Sequence, residues 1–368
     1  MKIQYLLAIG LLASCTQNKE AVQPQETHPT DRLMTKLQKV VDDGKYIYGH
    51  ADDTAYGYTW EYVPGRSDVK EIVGDYPGLI NWDLGMLELD SLENLDGVPF
   101  DYMKKEIVKQ DARGGINSIS WHLRNPVTGS NAWDVSDSTV VARIVTEGTE
   151  ANKLMLEWIG KTADFIGSLK DADDKLIPVL FRPWHEHTGS WFWWGEALCT
   201  PEQYKALWEM TRKVFDDKNI DNVVWVYSPD KVKSEEQYLE RYPGDSLVDV
   251  MGIDIYAFGA EEGVEPFREL AKTGLDIATK VAADHGKMLA FTETGLESLP
   301  VADWYSQVLM PAIDSYPIAF VCVWRNAKSD RKAGHFYAPY PGHPSAASFV
   351  EFYNNPKTLF AKDLKLYY

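Results

Sequence analysis

The stretch Val179–Gly195 reads VLFRPWHEHTGSWFWWG, and its reading decides the fold. Val179, Leu180 and Phe181 have the character of a buried strand. The strand then breaks into arginine, proline, tryptophan and the triplet His185-Glu186-His187. Four rings follow at Trp191, Phe192, Trp193 and Trp194. A strand buried on both faces that ends in a carboxylate flanked by imidazoles asks for a mouth where polar groups collect.

The same unit recurs along the chain. Apolar runs with polar or aromatic ends occur as YIYGH to His50, GLINWD to Asp83, INSISWH to His122 and IPVLFRPWHE to Glu186. They continue as NVVWVYS to Ser228, DVMGIDIY to Tyr256, KMLAFTE to Glu293 and IAFVCVWRN to Asn326. Continuous apolar runs suit strands covered on both faces, as in a parallel sheet. Amphipathic stretches lie between them. In TPEQYKALWEMTRKVF, Thr200 is placed as N-cap, Pro201 opens the helix and Gln203 can close a capping box. Tyr204, Leu207, Trp208, Thr211 and Phe215 then form a stripe for core packing. Asp31–Gly44 (DRLMTKLQKVVDDG) sets Leu33, Leu37, Val40 and Val41 on one face of an opening helix. No linker divides residues 32–368, so the expectation is an α/β fold with one (β/α)8 TIM barrel. A doubly wound open sheet is the weaker alternative, since no G-x-G-x-x-G opens a helix.

The 368 residues carry a formal net charge of −18, which argues against nucleic acid and anionic polymers as partners and leaves neutral ligands open. Aromatic residues reach 12%, with 13 Trp, so either the core or a sugar-stacking surface is rich in indole. The N-terminus, MKIQYLLAIGLLASC, has Lys2, an apolar run too short to span a bilayer, and then Leu12-Ala13-Ser14-Cys15. Residues 1–14 read as a signal peptide, and the Leu-Ala-Ser-Cys run resembles the lipobox of bacterial lipoproteins, with Cys15 as the lipidated residue. Residues 15–31 read as a tether, with Gln- and Pro-containing polar sequence. The expectation is an outer-membrane lipoprotein of a Gram-negative bacterium, anchored to the membrane by its lipid and otherwise a monomer. Glu20 alone supplies an acid in the five residues after Cys15, which inclines the assignment to the periplasmic face over the cell surface. Cys199 and Cys322 show no metal spacing and are taken as structural.

Active sites of such barrels lie at the C-terminal strand ends. There the sequence gathers His50, Trp82, Asp83, Trp121, His122, Trp184, His185, Glu186, Asp254, Tyr256, Glu293, Trp324 and Arg325. Glu186 and Glu293 stand out. Either alone could serve in a salt bridge to Arg182 or Arg325. Together, after strands four and seven, they face each other across the mouth, and two facing carboxyls are what glycosidic bond cleavage needs. His185-Glu186-His187 is not H-E-x-x-H, and no G-x-S-x-G is present, so neither a metal, a cofactor nor a serine elbow is expected.

FRPWHEHTGSWFWWG, GIDIY, FTETG and VWRN, in this order at these strand ends, resemble glycoside hydrolase family 26 over residues 32–368. The resemblance implies retaining cleavage of β-1,4-mannosidic linkages in mannan, galactomannan or manno-oligosaccharides. It makes Glu186 the acid/base and Glu293 the nucleophile. His185 would orient the acid or bind sugar, and Trp191 would line the leaving-group side. Asp254 and Tyr256 match the D-x-Y pair, with the tyrosine on the nucleophile. Trp324 would be the platform under the sugar and His122 a contact to the same ring. Two alternatives remain open: the same mechanism on a mixed-linkage glucan or xylan, and a glycan-binding lipoprotein without catalysis.

Overall fold

In the computed structural model, Met1 and residues 28–367 are described. The signal peptide beyond Met1, Cys15 and the tether up to residue 27 lie outside the described residues. Among the described residues, eight parallel strands close into a ring: β1 (Tyr46–Ala51), β2 (Leu79–Asp83), β3 (Ile116–Ser120), β4 (Val179–Arg182), β5 (Val223–Tyr227), β6 (Val250–Ala257), β7 (Met288–Leu296) and β8 (Ile318–Val323). Each strand pairs with the next, and β1 pairs with both β2 and β8. This is the single (β/α)8 barrel, and each of the eight sequence runs supplies one strand.

The helix at Pro29–Asp42 begins three residues inside the stretch assigned to the tether, because Pro29 can occupy a first-turn position where no N–H is needed. Its Leu33, Leu37 and Val40 pack with Ile47, Leu79, Leu180, Val224 and Val250, near the N-terminal ends of their strands, and so plug the floor of the barrel. Helix Pro201–Asp217 has the expected Thr200–Gln203 capping box and buries the expected stripe. Cys199 and Cys322 are free and buried.

Side-chain alternation along the strands decides what reaches the mouth. On β4, Leu180 belongs to the barrel interior, whereas Val179 and Phe181 join the layer between barrel and helices. Arg182 therefore points inward. Trp82, Trp121 and Trp184, read from sequence as strand-end residues of a ligand surface, instead lie in the helix-facing core and are fully buried. All 13 Trp are described, and ten are buried, so most of the indole content serves packing.

Candidate active site

Two local departures from regular strand geometry aim the glutamates. β4 ends at Arg182, and the following turn takes a left-handed backbone at Trp184 (φ 54°) and Glu186 (φ 53°). The HEH triplet is thus not extended strand. Its central residue is held by a hydrogen bond from its N–H to the Ser228 carbonyl at 2.8 Å. On β7, the pairing with β6 shifts register, from Ile253↔Phe291 to Asp254↔Glu293. Regular alternation would send Thr292 inward and Glu293 outward. The bulge brings both inward, Thr292 onto Asp254 and Glu293 onto Arg182.

Glu186 and Glu293 line one cleft of about 340 Å³, walled by His122, Trp133, Trp191, Phe192, Tyr256, Phe258, Trp324 and Tyr337, with Asp230 and Lys231 at one side. The two carboxyls meet opposite surroundings. Glu186 accepts from the Trp191 indole N–H at 2.7 Å. Burial, and then the charge of Glu293, push its carboxyl well above the usual carboxylate range. Glu293 accepts on both oxygens, from Arg182 on Oε2 and from the Tyr256 hydroxyl on Oε1 at 2.5 Å. A guanidinium and a hydroxyl on its two oxygens form the setting of a carboxylate, not of an acid.

Arg182 is the hub. Besides Glu293 it donates to Asp254 Oδ2 at 2.6 Å and to Ser228 Oγ at 3.2 Å. Asp254 also accepts from Thr292 at 2.6 Å and Ser228 at 3.1 Å. Expected beside the sugar, Asp254 lies fully buried behind Glu293, its oxygens taken up by these donors. Sequence reasoning treated Arg182 as a possible partner of a structural glutamate. It is a partner, and the pairing fixes the nucleophile candidate in place.

A second chain runs from Asp83 to His122 Nδ1 at 2.6 Å and from His122 Nε2 to His185 Nε2 at 3.1 Å. Burial opposes charge on both Asp83 and His122. Their mutual attraction outweighs it, raising the histidine and lowering the aspartate, so the pair is ionic. Burial, together with the charges of Arg182 and His122, holds His185 well below its ordinary range and therefore neutral. Imidazolium His122 donates to both neighbours, and His185 accepts at Nε2. His122 lines the cleft, but both its nitrogens are engaged inside the protein. His185 is buried away from the cleft, and its carbonyl accepts from Trp194 at 2.8 Å.

Trp191 and Trp324 face the cleft as the resemblance implies. Sequence reasoning passed over Trp133, Phe258 and Asp230. Trp133 stacks on His122 with centroids 5.4 Å apart and planes at 11°. Both Trp133 and Phe258 are exposed. A lone large ring in a polar loop, as in SNAWDVSD and AFGAEEG, is the signal that could have found them. Arg325 pairs with Asp96 at 2.5 Å and lines a neighbouring cavity of about 600 Å³ with Tyr56, Asp96 and Arg124.

A neutral acid on the fourth strand's loop and a guanidinium-bound carboxylate on the seventh strand, with rings between them, define a glycoside hydrolase. The chain belongs to glycosyl hydrolase family 26, whose sequence pattern matches residues 22–294. It is 26% identical over 97% of its length to a mannan endo-1,4-beta-mannosidase of Bifidobacterium adolescentis, of which it spans 37%. It is 28% identical to one from Bacillus subtilis, over 85% of each chain. Among solved structures it is similar to a family 26 beta-mannanase from Bacteroides ovatus, with 48% identity, a TM-score of 0.87 and coverage of 90% of this chain and 96% of that one. A modular endo-beta-1,4-mannanase from Cellulomonas fimi gives 31% identity and a TM-score of 0.80, over 92% of this chain and 76% of that one.

Proposed function

We propose that the protein hydrolyses β-1,4-mannosidic linkages in mannan, galactomannan or manno-oligosaccharides, with retention of configuration. The observation that supports it is that two carboxyls of one cleft meet opposite surroundings, Glu186 raised by burial and Glu293 bonded to a guanidinium and a hydroxyl, which suits Glu186 as acid and Glu293 as nucleophile. In the first step a lone pair of Glu293 forms a bond to the anomeric carbon. The bond to the glycosidic oxygen breaks, and that oxygen takes the proton of Glu186. Glu186, now a carboxylate, then removes a proton from water as it attacks the same carbon, and Glu293 leaves with its electron pair. The apolar face of a mannosyl ring suits the indole of Trp324. Tyr256 and Arg182 keep the Glu293 carboxylate from turning away between steps.

Mannan is favoured as substrate by the mannanases to which the chain is similar. The lipobox-like run supports a lipid anchor at Cys15, and the single acid Glu20 in the five residues after it favours the periplasmic face. Proton NMR of the first product released from mannotetraose tests the mechanism: the β-anomer is expected, and initial release of the α-anomer would replace retention with inversion. Turnover of a mixed-linkage glucan or xylan equal to that of mannan would overturn the substrate assignment.

A further inference from the structure

Asp230 is a third carboxyl in the cleft; its charge helps to raise Glu186, but the two-step mechanism gives it no contact with the sugar. It follows β5, on the flank of Glu186 away from β3 and β8, which carry His122 and Trp324. Its backbone is fixed. Ser228 accepts from the Glu186 N–H at 2.8 Å, and Pro229 accepts from the Asp254 N–H at 3.0 Å, so the residues just before Asp230 are clamped between the acid's turn and β6. Asp230 is only 7% exposed, and that remaining surface faces the cleft. Among the described residues its ionic partner is the adjacent Lys231, at 3.6 Å and itself half-exposed. Besides that ammonium its donor is the Lys231 backbone N–H, which leaves lone pairs on the cleft side for other donors. Sugar hydroxyls can supply them, and a carboxylate beside an ammonium offers an acceptor and a donor to neighbouring hydroxyls of one ring.

The cleft has two arms. The cavity of Tyr56, Asp96 and Arg325 lies beyond Trp324, at the β1, β2 and β8 side. Asp230, Lys231, Trp191 and Phe258 lie at the β4–β6 side. The glycosidic oxygen must sit at Glu186 to receive its proton. The ring that departs with that oxygen then extends away from Trp324, into the arm of Asp230. We propose that Asp230 is a specificity-determining residue that binds hydroxyls of the departing sugar, and of a sugar acceptor when one replaces water. This rests on the hydrolase reading above.

The test compares kcat/KM for mannotetraose with kcat/KM for phenyl β-mannobioside, whose leaving group needs the proton of Glu186 as a sugar does but carries no hydroxyl, in wild type and Asp230→Asn. Loss of one charge-assisted hydrogen bond predicts that the ratio of the two falls between about tenfold and about a hundredfold. Partition of the glycosyl-enzyme between water and added mannobiose should shift towards water in the same variant. A ratio within about twofold of wild type overturns the proposal, because a merely structural defect lowers both substrates alike. Inactivity of the wild type on both substrates would instead remove the hydrolase reading, and this proposal with it.

Discussion

The indole N–H of Trp191 donates to Oε2 of Glu186 at 2.7 Å. In a neutral carboxyl the carbonyl oxygen is the better acceptor, so this bond places the acid's proton on Oε1. Trp191 thus does more than wall the cleft: it selects which oxygen delivers the proton.

The raised Glu186 leaves a signature in stability. An unfolded chain ionises this residue in the ordinary range, whereas the folded chain keeps it neutral to a higher pH. The folded state then binds more protons than the unfolded one, so this contribution is complete at acid pH and declines as pH rises towards the folded value. Glu186→Gln should melt higher than wild type, by a margin that grows as pH rises above the ordinary glutamate value of about 4.3. Thermal melts across that range check it; a margin that shrinks with pH contradicts it.

Removing the two glutamates should fail in different ways. Glu293→Ala should be nearly inactive on every substrate. Glu186→Ala should still form the glycosyl-enzyme from an activated aryl mannoside, because general acid help worth about 10²- to 10⁴-fold is not needed there. It should then stall until azide is added, and yield the β-glycosyl azide. An α-azide, or β-azide from Glu293→Ala, would reverse or end the assignment.

Arg182 holds two buried carboxyls, Asp254 and Glu293, and burial raises Asp254 to about 8. Replacing it by leucine leaves both without their cation, which should cost about 3–5 kcal/mol of stability. Urea denaturation measures this, and a loss below about 1 kcal/mol would mean that solvent or another cation serves the pair.

Gly189 explains the glycine in HTGSW. A Cβ there would fall 2.2 Å from the Trp191 ring. Gly189→Ala should push that partly exposed indole aside and break its bond to Glu186, slowing turnover about two- to tenfold with little change in melting temperature. An unchanged rate, with the indole displaced in a crystal structure of the variant, would show that the bond has no catalytic value.

Cys15→Ala should release the protein from the membrane fraction into the soluble one. Retention in the membrane would place the anchor elsewhere.

The barrel was legible because its eight strands are apolar runs bounded by loops, and the glutamates because they close two of those runs. The Trp residues misled because strand-end position says nothing of side-chain direction. Counting inward from Leu180 by twos reaches Arg182 and leaves Phe181 facing the helices. Glu293 escapes that count, since the bulge beside it is set by tertiary pairing rather than by residue type. The ion pairing of His122 was equally hidden: Asp83 lies 39 residues away in sequence, and only closure of the barrel brings the two together.

The hub at the barrel's centre has an electrical consequence. At rest one guanidinium serves two buried carboxyls, Asp254 and Glu293. Burial raises Asp254 to about 8 against the pull of Arg182, and the charge of Glu293 adds to the rise. When Glu293 becomes an ester that charge is gone, and Asp254 is the counter-ion left to the cation. The same event removes the charge that helps keep Glu186 protonated, so bond formation at one carboxyl readies the other to surrender its proton.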